Sequence, residues 1–237
     1  MNDRSELNSI IRETQKILKT YPAFGTTELP GLPIRAKESP MKSAAAASKE
    51  QTLAPVREKA LQCVDCRLCK TRNSVVFGEG SLDADLVFVG EGPGRDEDKQ
   101  GRPFVGAAGN LLTKMITAMQ MTREEVYICN VVKCRPPQNR PPEPDEVAAC
   151  GGYLESQLLT IRPKIVCALG KTAASALLQT DAPMAALRGK TFDWKGLTLV
   201  VTYHPAYLLR NPSAKKEVWI DMLRVLEMLG RPVPAAS

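Results

Sequence analysis

The residues in this chain best suited to chemistry gather where apolar runs end. DLVFV (Asp85 to Val89) gives way to GEGPGRDEDKQGRPFVGAAG, Gly90 to Gly109. This polar loop has glycines that let a backbone approach a ligand closely, four carboxylates (Glu91, Asp96, Glu97, Asp98) and one ring, Phe104, held between Pro103 and Val105. A second run, VYICNVV, carries Asn130 at its end, where a poor strand former offers one acceptor and two donors. A third, LTLVVTYH, ends on His204, the chain's only histidine. Gly90-x-Gly92-x-Gly94 matches half of a dinucleotide fingerprint, but no helix opens directly after it and no acidic residue closes a second strand, so a nucleotide site is not expected.

Cysteines form the second chemical group. CVDCRLCK supplies Cys63, Cys66 and Cys69; Cys134 opens CRPPQNRPP, and Cys150 follows after fifteen residues. Zinc ribbons use two close CxxC pairs, which this spacing fits poorly, whereas an iron–sulfur cluster on four thiolates tolerates it. Cys129 and Cys167 lie inside apolar runs and read as buried small residues; Cys69 is left over as a spare ligand or free thiol. Seven cysteines, an odd number, argue against a disulfide framework.

Four apolar runs near residues 85–91, 126–132, 164–170 and 197–204, separated by helical patterns, predict a four-stranded parallel sheet in a three-layer α/β/α sandwich. Helices are expected from Ala107 to Met119, from Pro144 with Val147, Cys150, Leu154 and Leu158 inward, from Lys171 to Leu178, and over the last stretch with Val218, Met222 and Leu226 inward. A hairpin turning at Lys195-Gly196 feeds the fourth strand. Open α/β sheets bind ligands beyond the carboxyl ends of their strands, and Glu91, Asn130, Gly170-Lys171 and His204 all fall there.

Leu7, Ile10, Ile11, Ile17, Leu18 and Tyr21 share one helical face, so residues 1–21 are expected to form an amphipathic helix for docking a protein partner. The Pro- and Ala-rich stretch from Pro22 to Pro55 reads as a disordered linker, which puts the folded domain at 56–231 and a short tail at 232–237. A net charge of +6 suits a polyanionic partner. With no apolar run long enough to span a bilayer and no signal-peptide layout, the expected location is cytoplasmic.

GEGPGRDEDKQGRPFVGAAG, NVVKCRPPQNRPP and HPAYLLRNP closely resemble, in order, the motifs of the family 4 uracil-DNA glycosylases, over about Leu61 to Leu229. The resemblance implies a 4Fe-4S cluster on Cys63, Cys66, Cys134 and Cys150, and a monomeric enzyme that flips uracil out of single- or double-stranded DNA and hydrolyses its glycosidic bond, leaving an abasic site. It further implies that Phe104 stacks on the base beside Gly92, that Asn130 reads its edge, and that His204 donates to O2. Tyr207, Leu208, Leu209 and Arg210 would then form a wedge against DNA. Glu91 follows the family's Glu-Gly pattern where many relatives carry an aspartate, and with Asn139 it is the candidate for orienting water; Asp96, Glu97 and Asp98 remain alternatives. The covalent relatives of this group use a histidine in an insertion after the first motif, and DKQGRPF has none. A non-catalytic DNA-binding or polymerase-associated iron–sulfur module, or an electron carrier, would leave the strand-end residues without a purpose.

Overall fold

The computed structural model describes residues 44–234, with side chains from Ser48. The expected helix over residues 1–21, the linker as far as residue 43 and the last three residues of the tail lie outside the described residues.

The sheet has six strands rather than four: β1 (Glu79–Gly80), β2 (Leu86–Gly90), β3 (Tyr127–Asn130), β4 (Ile165–Leu169), β5 (Thr191–Trp194) and β6 (Leu197–Thr202), in the order β1-β3-β2-β4-β6-β5. The four expected strands form its parallel centre, and antiparallel strands are added at both edges. The β5–β6 hairpin turns at Lys195 and Gly196, both at positive φ, as expected. β1 spans only two residues, too few to show an alternating pattern, and is defined by its pairing with Tyr127 and Ile128.

Helix α1 (Ala44–Leu61) overturns part of the linker expectation and moves the start of the folded domain back to residue 44. Its apolar positions are sparse and Pro55 interrupts its hydrogen-bond ladder, so it carries little periodic signal. Tertiary anchors hold it instead. Leu53 and Ala60 are buried, and the Lys49 ammonium donates to the Leu82 carbonyl (3.1 Å), the Ile161 carbonyl (3.0 Å) and Asp83 (3.0 Å).

The remaining helices are α2 (Arg95–Gln100), α3 (Ala107–Ala118), α4 (Pro144–Ile161), α5 (Lys171–Leu178), α6 (Met184–Leu187), α7 (Pro205–Arg210) and α8 (Lys215–Met228). Strand residues alternate between two cores, one on each face of the sheet. Val87, Val89, Cys129, Val166 and Ala168 pack with residues of α1, α4 and α5; Leu86, Phe88, Ile128, Cys167 and Leu169 pack with residues of α3 and α8. The sandwich therefore has the expected three layers.

Strand order sets the location of the site. From β2 the chain moves to β3 on one side and then returns to β4 on the other, so the crossovers diverge at the carboxyl ends of β2 and β4. That divergence opens a crevice at the sheet edge.

Candidate active site and cysteine centre

A cavity of about 560 Å³ fills this crevice. It is lined by Glu91 and Gly92 after β2, Phe104, Asn130 at the end of β3, Asn139, Thr172 at the start of α5, His204 after β6, and Tyr207 and Arg210 on α7. The carboxylate, ring, carboxamide and imidazole singled out in the sequence thus face one space.

Asn130 is 1% exposed, and its Oδ1 is buried without a hydrogen-bond partner. An unpaired buried acceptor costs about 1–3 kcal/mol, so the arrangement implies a donor on a ligand. The floor around it permits no side chain at two positions. A Cβ on Gly90 would lie 2.4 Å from Asn130 Oδ1 and 2.6 Å from the Phe104 ring, and one on Gly92 would lie 2.7 Å from Val132.

Phe104 adopts φ 53°, a strained conformation for a bulky residue. The loop around it is held from both sides. Arg123 donates to the carbonyls of Phe104 (3.0 Å) and Pro103 (2.8 Å), and Glu97 accepts from the backbone N–H groups of Val105 and Gly106, both at 3.0 Å. The Phe104 ring lies 5.5 Å from the His204 ring, centroid to centroid.

His204 caps α7, with Nδ1 accepting from the Ala206 N–H at 3.1 Å. In the neutral imidazole the proton must then sit on Nε2, which becomes a donor. Burial, aided by the nearby Arg210 charge and opposed by Glu97, pulls the pKa down to about 4, so the ring is neutral at physiological pH.

The other carboxylates of the loop have separate tasks. Glu97 pins the Phe104 loop, while Asp98 is buried and accepts from the N–H groups of Asn73 (2.8 Å) and Ser74 (3.2 Å). Glu91 lines the cavity, and one of its oxygens accepts from the Thr172 hydroxyl, leaving the other oxygen for the cavity. Thr172 escaped the sequence reading although it stands one residue beyond Gly170-Lys171, at the same strand end. Asn139, also at positive φ, sits exposed on the rim with its Oδ1 accepting from Arg135 Nε at 2.7 Å.

The expected four-residue wedge is corrected at Leu208. That side chain is 1% exposed and packs in the core beneath α7, so it cannot meet DNA. Leu209 is 48% exposed, and Tyr207 and Arg210 face the cavity.

A second, smaller cavity is lined by Cys63, Cys66, Cys69, Cys134 and Cys150, with Arg72, Lys133 and Tyr153. Three segments meet there: the end of α1 with the 3-10 turn Arg67–Lys70, the loop after β3, and α4. Ion pairs clamp them. Arg67 pairs with Asp145 at 2.7 Å, and Arg140 holds the buried Glu146 through two bonds of 2.6 and 2.8 Å, which keeps that carboxyl below its usual range. N–H donors point at sulfur: Arg72 Nη1 lies 3.1 Å from Cys134 Sγ, and the Lys133 N–H lies 3.4 Å from Cys150 Sγ. Burial pushes the Cys134 thiol up to about 11 and also raises Cys150. Metal binding would have to supply the deprotonation.

Among the described residues no group of three or more His, Cys, Asp or Glu converges on a single ion. The thiols around this cavity, with N–H donors directed at two of the sulfurs, are a donor set of the kind that holds iron–sulfur groups. Cys129 and Cys167 are fully buried in strands, away from this cavity.

The family model described as the uracil DNA glycosylase superfamily matches residues 77–224, a span that holds the whole parallel sheet and every strand-end residue named above. Among curated proteins, the type-4 uracil-DNA glycosylase of Thermotoga maritima is 50% identical over 168 residues, 70% of this chain and 88% of that protein. Those of Archaeoglobus fulgidus (41% over 192 residues, 78% of this chain and 96% of that protein) and Sulfurisphaera tokodaii (42% over 190 residues, 76% and 86%) are similar over comparable spans. The chain belongs to the type-4 uracil-DNA glycosylases.

Proposed function

We propose that this protein excises uracil from DNA by hydrolysing its N-glycosidic bond, and that the strand-end cavity receives the extruded base. The carrying observation is the buried, unpartnered Asn130 Oδ1 facing a cavity of about 560 Å³. Uracil presents an N3–H to such an acceptor and an O4 to the amide donors of the same side chain, whereas cytosine reverses both. A mismatched base would leave buried groups unpaired at about 1–3 kcal/mol each.

A base inside a duplex cannot reach this cavity, so the nucleotide is flipped out at a cost of a few kcal/mol and stacked on Phe104. As the glycosidic bond breaks, negative charge grows on uracil O2. His204, neutral and protonated at Nε2, donates there without first having to lose a proton, an oxyanion-hole role. Glu91, fixed by Thr172, orients the attacking water, with Asn139 at the rim. Exposed Leu209 with Tyr207 fills the vacated stack, and Arg210 meets the backbone phosphate.

The cysteine centre supports a 4Fe-4S cluster on Cys63, Cys66, Cys134 and Cys150, with Cys69 as a fifth, non-ligating thiol. When bound, the cluster supplies a cross-link among three chain segments and takes no part in bond cleavage. No helix among the described residues is long and apolar enough to cross a membrane.

The test is an oligonucleotide carrying one uracil, incubated with the protein and then treated with alkali. A strand break at the uracil is expected, with none at thymine or cytosine in the same position. An intact strand would contradict the reading.

A further inference from the structure

Between the two centres lies a lysine that neither has yet used. Lys133 is 1% exposed, and no carboxylate pairs with it among the described residues. Its Nζ donates to the backbone carbonyl of Asn130 at 2.7 Å and to Gln157 Oε1 at 2.5 Å, and lies 5.9 Å from the centroid of the Phe77 ring. The buried Gln157 in turn donates to the Phe77 carbonyl (2.8 Å) and the Tyr127 hydroxyl (3.1 Å). Since Tyr127 opens β3 and Asn130 closes it, the Lys133–Gln157 pair braces that strand at both ends.

On its other side Lys133 belongs to the cysteine centre. It lines the cavity, its N–H donates to Cys150 Sγ, and Cys134 is the next residue. Burying a cation where a methionine of similar length would fill the space is costly unless the charge meets a partner. Here it meets two carbonyl oxygens and a ring face, while the backbone N–H of the same residue faces the Cys150 thiol, which becomes anionic on binding a cluster.

We propose that Lys133 is a positioning residue that ties the base-reading end of β3 to the cysteine centre, so that a cluster held there sets the aim of the Asn130 carboxamide on the extruded base. Fixing the Asn130 peptide plane fixes the direction of its Cα–Cβ bond and hence the unpaired Oδ1. The proposal rests on the uracil reading above.

The test compares full-length wild-type protein with Lys133→Met and Lys133→Arg, each checked for visible absorbance and iron content. Three quantities are measured: inhibition by free uracil, affinity for an oligonucleotide carrying an abasic site, and single-turnover uracil excision. In Lys133→Met, free-uracil inhibition and excision are expected to weaken together by about tenfold, the worth of one well-placed hydrogen bond, with absorbance and abasic-site affinity retained. Lys133→Arg, which keeps the donors, should recover part of the loss. Unchanged free-uracil inhibition in Lys133→Met, or an equal loss of affinity for both ligands, would overturn the proposal. Should Lys133→Met not accumulate folded, Gln157→Leu carries the same test, with about a threefold loss expected toward free uracil and none overturning it. A wild-type protein that neither excises nor binds uracil would instead remove the functional reading.

Discussion

The two centres of this molecule are built in opposite ways. The base cavity stands on the carboxyl ends of β2, β3, β4 and β6, so its geometry is set by a buried sheet, and it keeps open hydrogen-bonding capacity at Asn130 Oδ1. The cysteine centre stands on helices and loops clamped by Arg67 and Arg140, and two of its sulfurs, those of Cys134 and Cys150, are already met by N–H donors. A site on strand ends can be complete before its ligand arrives. One assembled from three loosely related segments depends on what it binds, and so the two should respond differently to mutation.

The largest effect is expected at the cysteine centre. Cys134→Ala should abolish the visible absorbance of the cluster and, with it, the yield of soluble protein. Cys69→Ala should leave both intact, as a thiol outside the ligand set. A colourless Cys134→Ala variant that is folded and active would erase the contrast between the centres. At the cavity, by comparison, losses should be chemical and not structural. Glu91→Ala is expected to slow single-turnover excision about a thousandfold while affinity for uracil-containing DNA and the melting temperature stay near wild type. An unchanged rate would remove Glu91 from the mechanism.

His204 gives a subtler effect, read in pH. Its pKa is near 6.5 in the unfolded chain and about 4 in the folded one, so over that interval the unfolded state binds more proton. The stability gained by keeping the ring neutral is complete above about pH 6.5 and is lost as pH falls toward 4. Over the same range the donor at Nε2 persists, so single-turnover excision should show no inflection from this group near 6.5. A His204-dependent fall centred there would mean that the folded ring titrates like a free one. The smallest change is expected from Leu209→Ala. It should slow excision from duplex DNA by a few-fold and leave single strands unaffected, because only a duplex has a stack to fill.

Much of the base cavity was legible in the sequence because Glu91, Asn130 and His204 each end an apolar run, and parallel-sheet geometry carries all such ends to one edge. The cysteine set could be named only through the family resemblance, since CxxC and two scattered thiols define no geometry by themselves. What escaped had weak local signals. α1 lacks a periodic apolar face and is anchored by Lys49, a polar residue whose partners lie far along the chain. β1 is too short for alternation. Leu208 and Leu209 are neighbours of one type, and only the phase of a single short helix decides that one enters the core and the other meets solvent. Lys133 sits in a motif recognised for its cysteine, while its role emerges only from bonds to Asn130 and Gln157.

The central claim, that the Asn130 carboxamide reads the extruded base, is tested most directly by single-turnover excision from matched oligonucleotides bearing uracil or cytosine, with wild-type protein and Asn130→Asp. Replacing the amide donor by a second acceptor sets like against like at uracil O4 and offers the cytosine amine a partner. Uracil excision should fall about a hundredfold or more, and cytosine excision should become detectable. Equal uracil rates in the two proteins would contradict the account.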